Sequence, residues 1–432
     1  MKNSASGKKF WTALIIFGLT GQVAWVVENM YFNVFIYKMF NASATDISIM
    51  VAVSAVVATL TTLFMGALSD KYAMLKPFIC FGYIIWGITI CSFSLINVEF
   101  ISKIFAPASA LSVCVTLVII MDGVMTFFGS TANDACFNAW LTDSTNSSNR
   151  GKVEGINSMM PLVAILVVFG GFMSFNLDIP SSWTAIFLII GIIVILIGVL
   201  GFFLIKEVTI DKSENVSYFK NLFYGFRPSV IKSNIKLYLM LICFAIFGIS
   251  IQVFMPYLIL YYEVSLGMKD YVLIMTPAII LASVVTALYG RVYDKKGYTF
   301  SIILPISLLI LGYLILFLFK TTVLVFIGSL VMMCGYLSGS AVFGAVIRDL
   351  TPENKSGMFQ GLRIIGQVLI PGIIGPFIGS AVLSNAQTVV GNDGTVSFIP
   401  NENIFLAALV VAVILSITIF VFNKLQNKYP PA

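Results

Sequence analysis

The sequence predicts an all-α membrane protein, with twelve transmembrane helices in two pseudo-symmetric six-helix bundles. Three observations lead there. First, the 432 residues are 59% hydrophobic and only 10% charged. A soluble chain carries roughly 25% charged residues, so this composition calls for lipid as its solvent. Second, the apolar residues gather into twelve stretches of about 20 residues or more, the length that crosses a bilayer. Third, the last six stretches repeat features of the first six in the same order.

The stretches run over roughly 10–37, 45–68, 77–97, 108–140, 152–177, 183–205, 236–262, 270–290, 298–319, 322–346, 357–384 and 402–423. Met1–Lys9 leads at once into the first of them. That stretch has neither the short apolar core nor the small-residue cleavage site of a signal peptide, so it is read as a retained helix. The fourth could begin later, with Pro107 in a loop. Several exceed the minimum and imply tilt.

Positive charge orients the chain. Of the 25 lysines and arginines, the segments on the N-terminal side hold twenty. The opposite side holds four, namely Lys38, Lys103, Lys269 and Lys320. Cytoplasmic loops carry this excess, so both termini are expected in the cytoplasm, in a multi-pass cell (inner) membrane protein. The segment 206–235 divides the N-terminal bundle, 1–205, from the C-terminal bundle, 236–432. Within it Phe219, Leu222, Phe223 and Phe226 follow helical spacing. This suggests an amphipathic helix on the inner membrane surface, with a solvated connector as the other reading.

The same counts exclude several classes. The net charge of +6 is scattered rather than gathered in a stripe, which argues against nucleic acid. The six cysteines lie inside apolar stretches and read as small buried hydrophobes. No histidine is present, which removes the commonest metal ligand and general base. No phosphate-binding Gly-x4-Gly-Lys-Ser/Thr loop occurs. Neither a metal, a cofactor nor an enzymatic activity is expected.

Three matches build the repeat. Ile16-Phe17-Gly18, Gln22-Val23 and Tyr31 correspond to Ile246-Phe247-Gly248, Gln252-Val253 and Tyr261. Gly66-x3-Asp70-Lys71 corresponds to Gly290-x3-Asp294-Lys295. Gly129, Phe137, Ala139, Asp143, Thr145, Gly151 and Gly155 correspond to Gly335, Phe343, Ala345, Asp349, Thr351, Gly357 and Gly361. Parallel repeats of this kind place a substrate site near the membrane midplane. Gly66-Ala67-Leu68-Ser69-Asp70-Lys71 resembles the loop signature of the major facilitator superfamily. Gly290-Arg291-Val292-Tyr293-Asp294-Lys295-Lys296-Gly297 is similar to its second-half copy. The resemblance implies the major facilitator fold, transport without an enzymatic step, and a conformational switch at Gly66, Asp70, Gly290 and Asp294, with Asp143 and Asp349 at the following loop. Tyr72-Ala73-Met74-Leu75-Lys76 departs from the usual pattern, which puts a full charge relay there in doubt. Lys76-Pro77-Phe78 and Thr142-Asp143…Asn149-Arg150-Gly151 resemble the glycoside–pentoside–hexuronide cation symporters and the sucrose-transporter-like group. Sodium-coupled members of that group carry paired aspartates in helix two. Here no carboxylate lies between Asp46 and Asp70, so a proton rather than sodium is the expected partner.

Ionisable groups at membrane depth mark pathways. Glu28 lies 19 residues beyond Lys9, about 28 Å along a helix. With Asp134 it is a candidate proton carrier; a structural carboxylate is the other reading for each. Asp122 reads as near the external surface. Gln22, Trp25, Asn29 and Asn33 surround Glu28 in sequence, and Asn133 and Asn138 flank Asp134. These are substrate-cavity candidates, with Gln252, Tyr257 and Tyr261 on the seventh helix, whose Gln-x8-Tyr-Tyr resembles sugar porters. Arg363, the one cation inside a stretch, is a candidate partner or anchor, or a snorkelling side chain. Gly372-Ile373-Ile374-Gly375-Pro376-Phe377-Ile378-Gly379 resembles the glycine–proline motif of drug antiporters, in helix eleven rather than five; close packing is the alternative. The expected function is secondary active transport by alternating access, as proton-coupled symport of a small polar solute such as a sugar or glycoside by a monomer. The alternative is an efflux antiporter of lipophilic compounds.

Overall fold

The computed structural model describes residues 7–72, 74–106, 109–145, 150–207, 224–352, 356–390 and 395–428. The stretch 208–223, where the surface helix is expected, and the side chain of Asp70 lie outside the described residues. The chain divides into two compact units, Met1–Lys220 and Asn221–Ala432.

The first unit holds α1 (Lys8–Phe40), α2 (Ala44–Tyr72), α3 (Leu75–Leu95), α4 (Ala110–Ser144), α5 (Arg150–Phe172) and α6 (Pro180–Leu204). The second holds α7 (Ile235–Ser265), α8 (Tyr271–Ser301), α9 (Ile303–Leu318), α10 (Thr322–Leu350), α11 (356–383) and α12 (Asn403–Lys428). Eleven of the twelve are long and apolar enough to span a bilayer, and α9 is shorter at 16 residues. A small hairpin, β1 (Thr388–Val390) paired antiparallel with β2 (Val396–Phe398), lies between α11 and α12.

Local sequence sets the helix ends. Asn41 adopts the left-handed conformation, φ 53°, after α1. Its N–H bonds Tyr37 O at 3.0 Å and that of Ala42 bonds Ile36 O at 3.2 Å, the pairing that closes a helix C-terminus. Two residues later Ser43 and Asp46 bond each other's backbone N–H, 3.1 and 2.8 Å, a capping box that starts α2. Pro180 opens α6, where its missing N–H costs nothing.

The motif loops turn out to be helical. α2 runs through Gly66 to Tyr72, and α8 runs through Gly290 and Asp294. α8 breaks at Gly297, φ 68° and ψ −178°, a conformation essentially reserved for glycine.

Within each unit the same packing scheme recurs. α1 packs on α5 and α6, α2 on α4, and α3 on α4 and α6; α7 packs on α11 and α12, α8 on α10, and α9 on α10 and α12. Small residues set the closest approaches. A Cβ on Gly87 of α3 would lie 2.5 Å from Gly191 O of α6, and one on Gly335 of α10 would lie 2.5 Å from Leu309 N of α9. Large apolar side chains cover the outer faces, Phe203 being 71% exposed and Phe420 69%. Such faces suit lipid, where helices satisfy their own backbone groups.

Candidate functional site

In the first unit the polar interior is built on two irregular turns. α1 widens into a π-helical turn at Val27–Phe32, which carries Glu28, and α4 does so at Ser130–Phe137, which carries Asn133 and Asp134. Such turns recur at functional sites. Asn29 and Asn33 accompany the first of them, with amides that donate to the carbonyls of Trp25 at 2.8 Å and Asn29 at 3.0 Å. Asn29 is exposed and Asn33 fully buried. Gln22 and Trp25 are half-buried.

Asp134 is held entirely by neutral donors. Ser130 Oγ donates to its Oδ2 and Asn133 Nδ2 to its Oδ1, both at 3.0 Å. The other end of the Asn133 amide reaches α3, where the Tyr83 hydroxyl lies 2.9 Å from Asn133 Oδ1 and 3.0 Å from the Phe17 carbonyl of α1. One hydroxyl thus ties three helices. Gly21 makes the approach possible, because a Cβ there would sit 2.3 Å from Asn133 Oδ1. Gly129, one of the repeated glycines, opens space for Trp25 and Trp86, whose ring centroids are 4.9 Å apart. Asn138 is exposed and donates to the Asp134 carbonyl at 3.2 Å.

Glu28 sits a layer further along the bundle, 6% exposed. Thr126 Oγ1 of α4 donates to its Oε1 at 2.9 Å. Asp122, read from the sequence as near the surface, is 1% exposed and accepts from Ser54 of α2. Sequence reasoning missed Ser54, Thr126 and Ser130. A signal existed: Asp122, Thr126, Ser130, Asp134 and Asn138 recur every fourth residue along α4, the spacing that shares a helix face.

The second unit is aromatic where the first is acidic. Tyr257 is fully buried with its hydroxyl 3.3 Å from the Pro376 carbonyl. Tyr261, 1% exposed, packs edge-on against Phe405 at 5.2 Å. Gln252 is half-buried, and a Cβ on Gly375 would lie 2.4 Å from its own Cβ. Another on Gly379 would lie 2.4 Å from Val253 O. The glycine–proline run therefore seats α11 closely on α7. Arg363 is half-buried, with Nε 3.4 Å from Gln367 Oε1 beside a further π-helical turn, Ile365–Leu369. At the helix ends, Tyr293 donates to Asp349 Oδ2 at 2.5 Å, and Gly290, Asp294 and Asp143 are exposed. No group of three or more histidine, cysteine, aspartate or glutamate side chains placed to hold a metal occurs among the described residues.

Twelve apolar helices in two similarly packed sets, with carboxylates in the interior, agree with the sequence model that matches residues 10–376, that of the Major Facilitator Superfamily. The chain belongs to that superfamily. It is accordingly a multi-pass membrane transporter of the all-α major facilitator fold and not an enzyme. Solved structures of other members share the fold at low identity. A bacterial homolog of the human lysosomal transporter Spinster, inward-facing and occupied, superposes with a TM-score of 0.72 at 16% identity, covering 99% of this chain and 100% of that one. A D-xylose–proton symporter gives 0.71 at 13%, covering 96% and 97%. The nucleoside transporter NupG gives 0.66 at 13%, covering 97% and 99%. No curated protein matches in sequence.

Proposed function

We propose that this superfamily member is a proton-coupled symporter of a small polar solute, such as a sugar or glycoside, working by alternating access. One observation carries the reading: Glu28 and Asp134 sit at π-helical turns inside the first unit, and the side chains that hydrogen-bond them are hydroxyls and an amide rather than lysine or arginine. A buried carboxylate without a cation beside it is costly. Binding a proton removes the charge, and releasing it restores the charge, so loading and unloading alter which arrangements the helices tolerate. The polar solute is supported by Gln22, Trp25, Asn29, Asn133 and Asn138 on the same two helices, and by relatives of similar fold that are described as a xylose–proton symporter and a nucleoside transporter. Gln252, Tyr257, Tyr261 and Arg363 are the second unit's proposed contribution, and the carrier's proposed switch points are Gly66, Asp70 and Asp143 in the first unit and Gly290, Asp294 and Asp349 in the second. The carrier is taken as a monomer in the cell membrane with both termini cytoplasmic. The motif that would favour efflux instead is used for packing α11 on α7.

The test is uptake by proteoliposomes under an imposed proton gradient, across a panel of sugars, glycosides, nucleosides and lipophilic cations. One polar class should accumulate uphill. Glu28→Gln should abolish that accumulation while retaining solute counterflow, because exchange does not require the proton to leave. Uphill uptake that survives both Glu28→Gln and Asp134→Asn would remove these carboxylates from coupling. Gradient-driven expulsion of lipophilic cations alone would replace symport by efflux.

A further inference from the structure

The bonding that holds Glu28 continues beyond it. Thr126 Oγ1, which donates to Glu28, lies 3.5 Å from Ser54 Oγ, and Ser54 in turn donates to Asp122. Four side chains from α1, α2 and α4 therefore form one cluster, of two carboxylates and two hydroxyls. It contains no N–H group. Each hydroxyl has a single hydrogen, and each gives it to a carboxylate, so the hydroxyl lone pairs stay available.

Glu28 Oε2 and Asp122 Oδ1 are both buried and have no hydrogen-bond partner. Their side chains are 6% and 1% exposed. Among the described residues neither carboxylate pairs with a lysine or arginine. Acceptors thus gather in a buried interior with no protein group donating to two of them, and each such oxygen carries an uncompensated desolvation cost. A cation would supply a partner to both. Oxygen-only ligand sets select hard cations. Magnesium keeps several waters and calcium takes six to eight oxygens; with Glu28 Oε1 and Asp122 Oδ2 engaged by the hydroxyls, four oxygens remain here, the other carboxylate oxygen of each and the two hydroxyls. A small, singly charged ion fits the count.

We propose that Glu28, Ser54, Asp122 and Thr126 form a binding site for a sodium ion. The sequence argued against sodium because helix two has no carboxylate between Asp46 and Asp70. In the folded unit that helix supplies the Ser54 hydroxyl, and the carboxylates come from helices one and four. The site goes beyond proton-coupled symport and requires no solute, so the two readings fail in separate experiments.

The test is equilibrium binding of radioactive sodium to the purified full-length protein in detergent, at about pH 8, above the ordinary carboxylate range, with choline as the balancing cation. Saturable binding near one ion per chain is expected, displaced by unlabelled sodium and untouched by choline. Asp122→Asn should abolish it. Ser54→Ala, which keeps both carboxylates, should weaken it by about tenfold or more, as loss of a supporting ligand does. Thermal unfolding without sodium shows whether each variant is folded, and Ser54→Ala decides the matter if Asp122→Asn is not. Absence of saturable binding to the unaltered protein overturns the site, as does undiminished binding to either folded variant.

Discussion

Tyr83 concentrates in one atom much of what holds the first unit's polar interior. Its hydroxyl reaches both Asn133 Oδ1 and the Phe17 carbonyl, and Asn133 is only 3% exposed. Tyr83→Phe should therefore destabilise the protein by about 1–3 kcal/mol, the cost of stranding a buried polar atom, seen as a lowered unfolding temperature in detergent. Asn133 also orients Asp134, so the same variant should slow proton-driven uptake more than counterflow. At this scale the sequence was partly legible. Glu28 and Asp134 stand out because carboxylates are rare in apolar stretches. Asp122 was misplaced because counting residues along a helix gives depth, and says nothing of which neighbour covers that depth. Ser54 does cover it. The bond from Asn133 to Tyr83 joins residues 50 apart in the chain, a separation that no local pattern encodes.

At the scale of elements, glycines decide how closely helices meet. Gly87 and Gly191 face each other across α3 and α6, where a Cβ on the latter would lie 2.4 Å from Cys91 Sγ. Backbone cannot yield as a side-chain tip can, so Gly87→Ala should cost about 1–3 kcal/mol by overpacking, whereas Gly170→Ala, with open space around it, should be neutral in the same thermal assay. Gly297→Ala should destabilise the α8–α9 connection through its backbone conformation alone, with no clash to relieve. The apolar stretches announced the helices to within a few residues at most ends. They did not announce that helix continues past Gly66 to Tyr72 and past Gly290 to Ser301, because polar runs with glycine read as breaks. Nor did they mark the π-helical turns, which depend on packing rather than composition.

For the molecule as a whole, repetition was the most legible property. The three sequence matches foreshadow two units with one packing scheme: Gly129 of α4 meets Trp86 of α3, and its repeat partner Gly335 of α10 meets Leu309 of α9. The charge bias adds an orientation that coordinates alone do not contain, and it can be checked. Five of the six native thiols are buried and Cys91 is half-buried, so new surface cysteines report cleanly. In intact cells an impermeant maleimide should label Lys103→Cys and leave Lys295→Cys unlabelled until the membrane is opened. The reverse pattern would invert the topology.

The π-helical turn in α1 has a consequence for how this chain is compared with others. Such a turn accommodates one residue more than the regular coil, and each residue of a helix advances the screw by about 100°. Asn33–Phe40, beyond that turn, therefore point roughly a quarter-revolution away from where a straight rod would aim them. Threading this sequence without a gap onto a relative that lacks the extra residue would set Phe32 or Val34, both buried and apolar, where the buried Asn33 belongs. The error would leave every hydropathy profile intact while scrambling the identity of the wall.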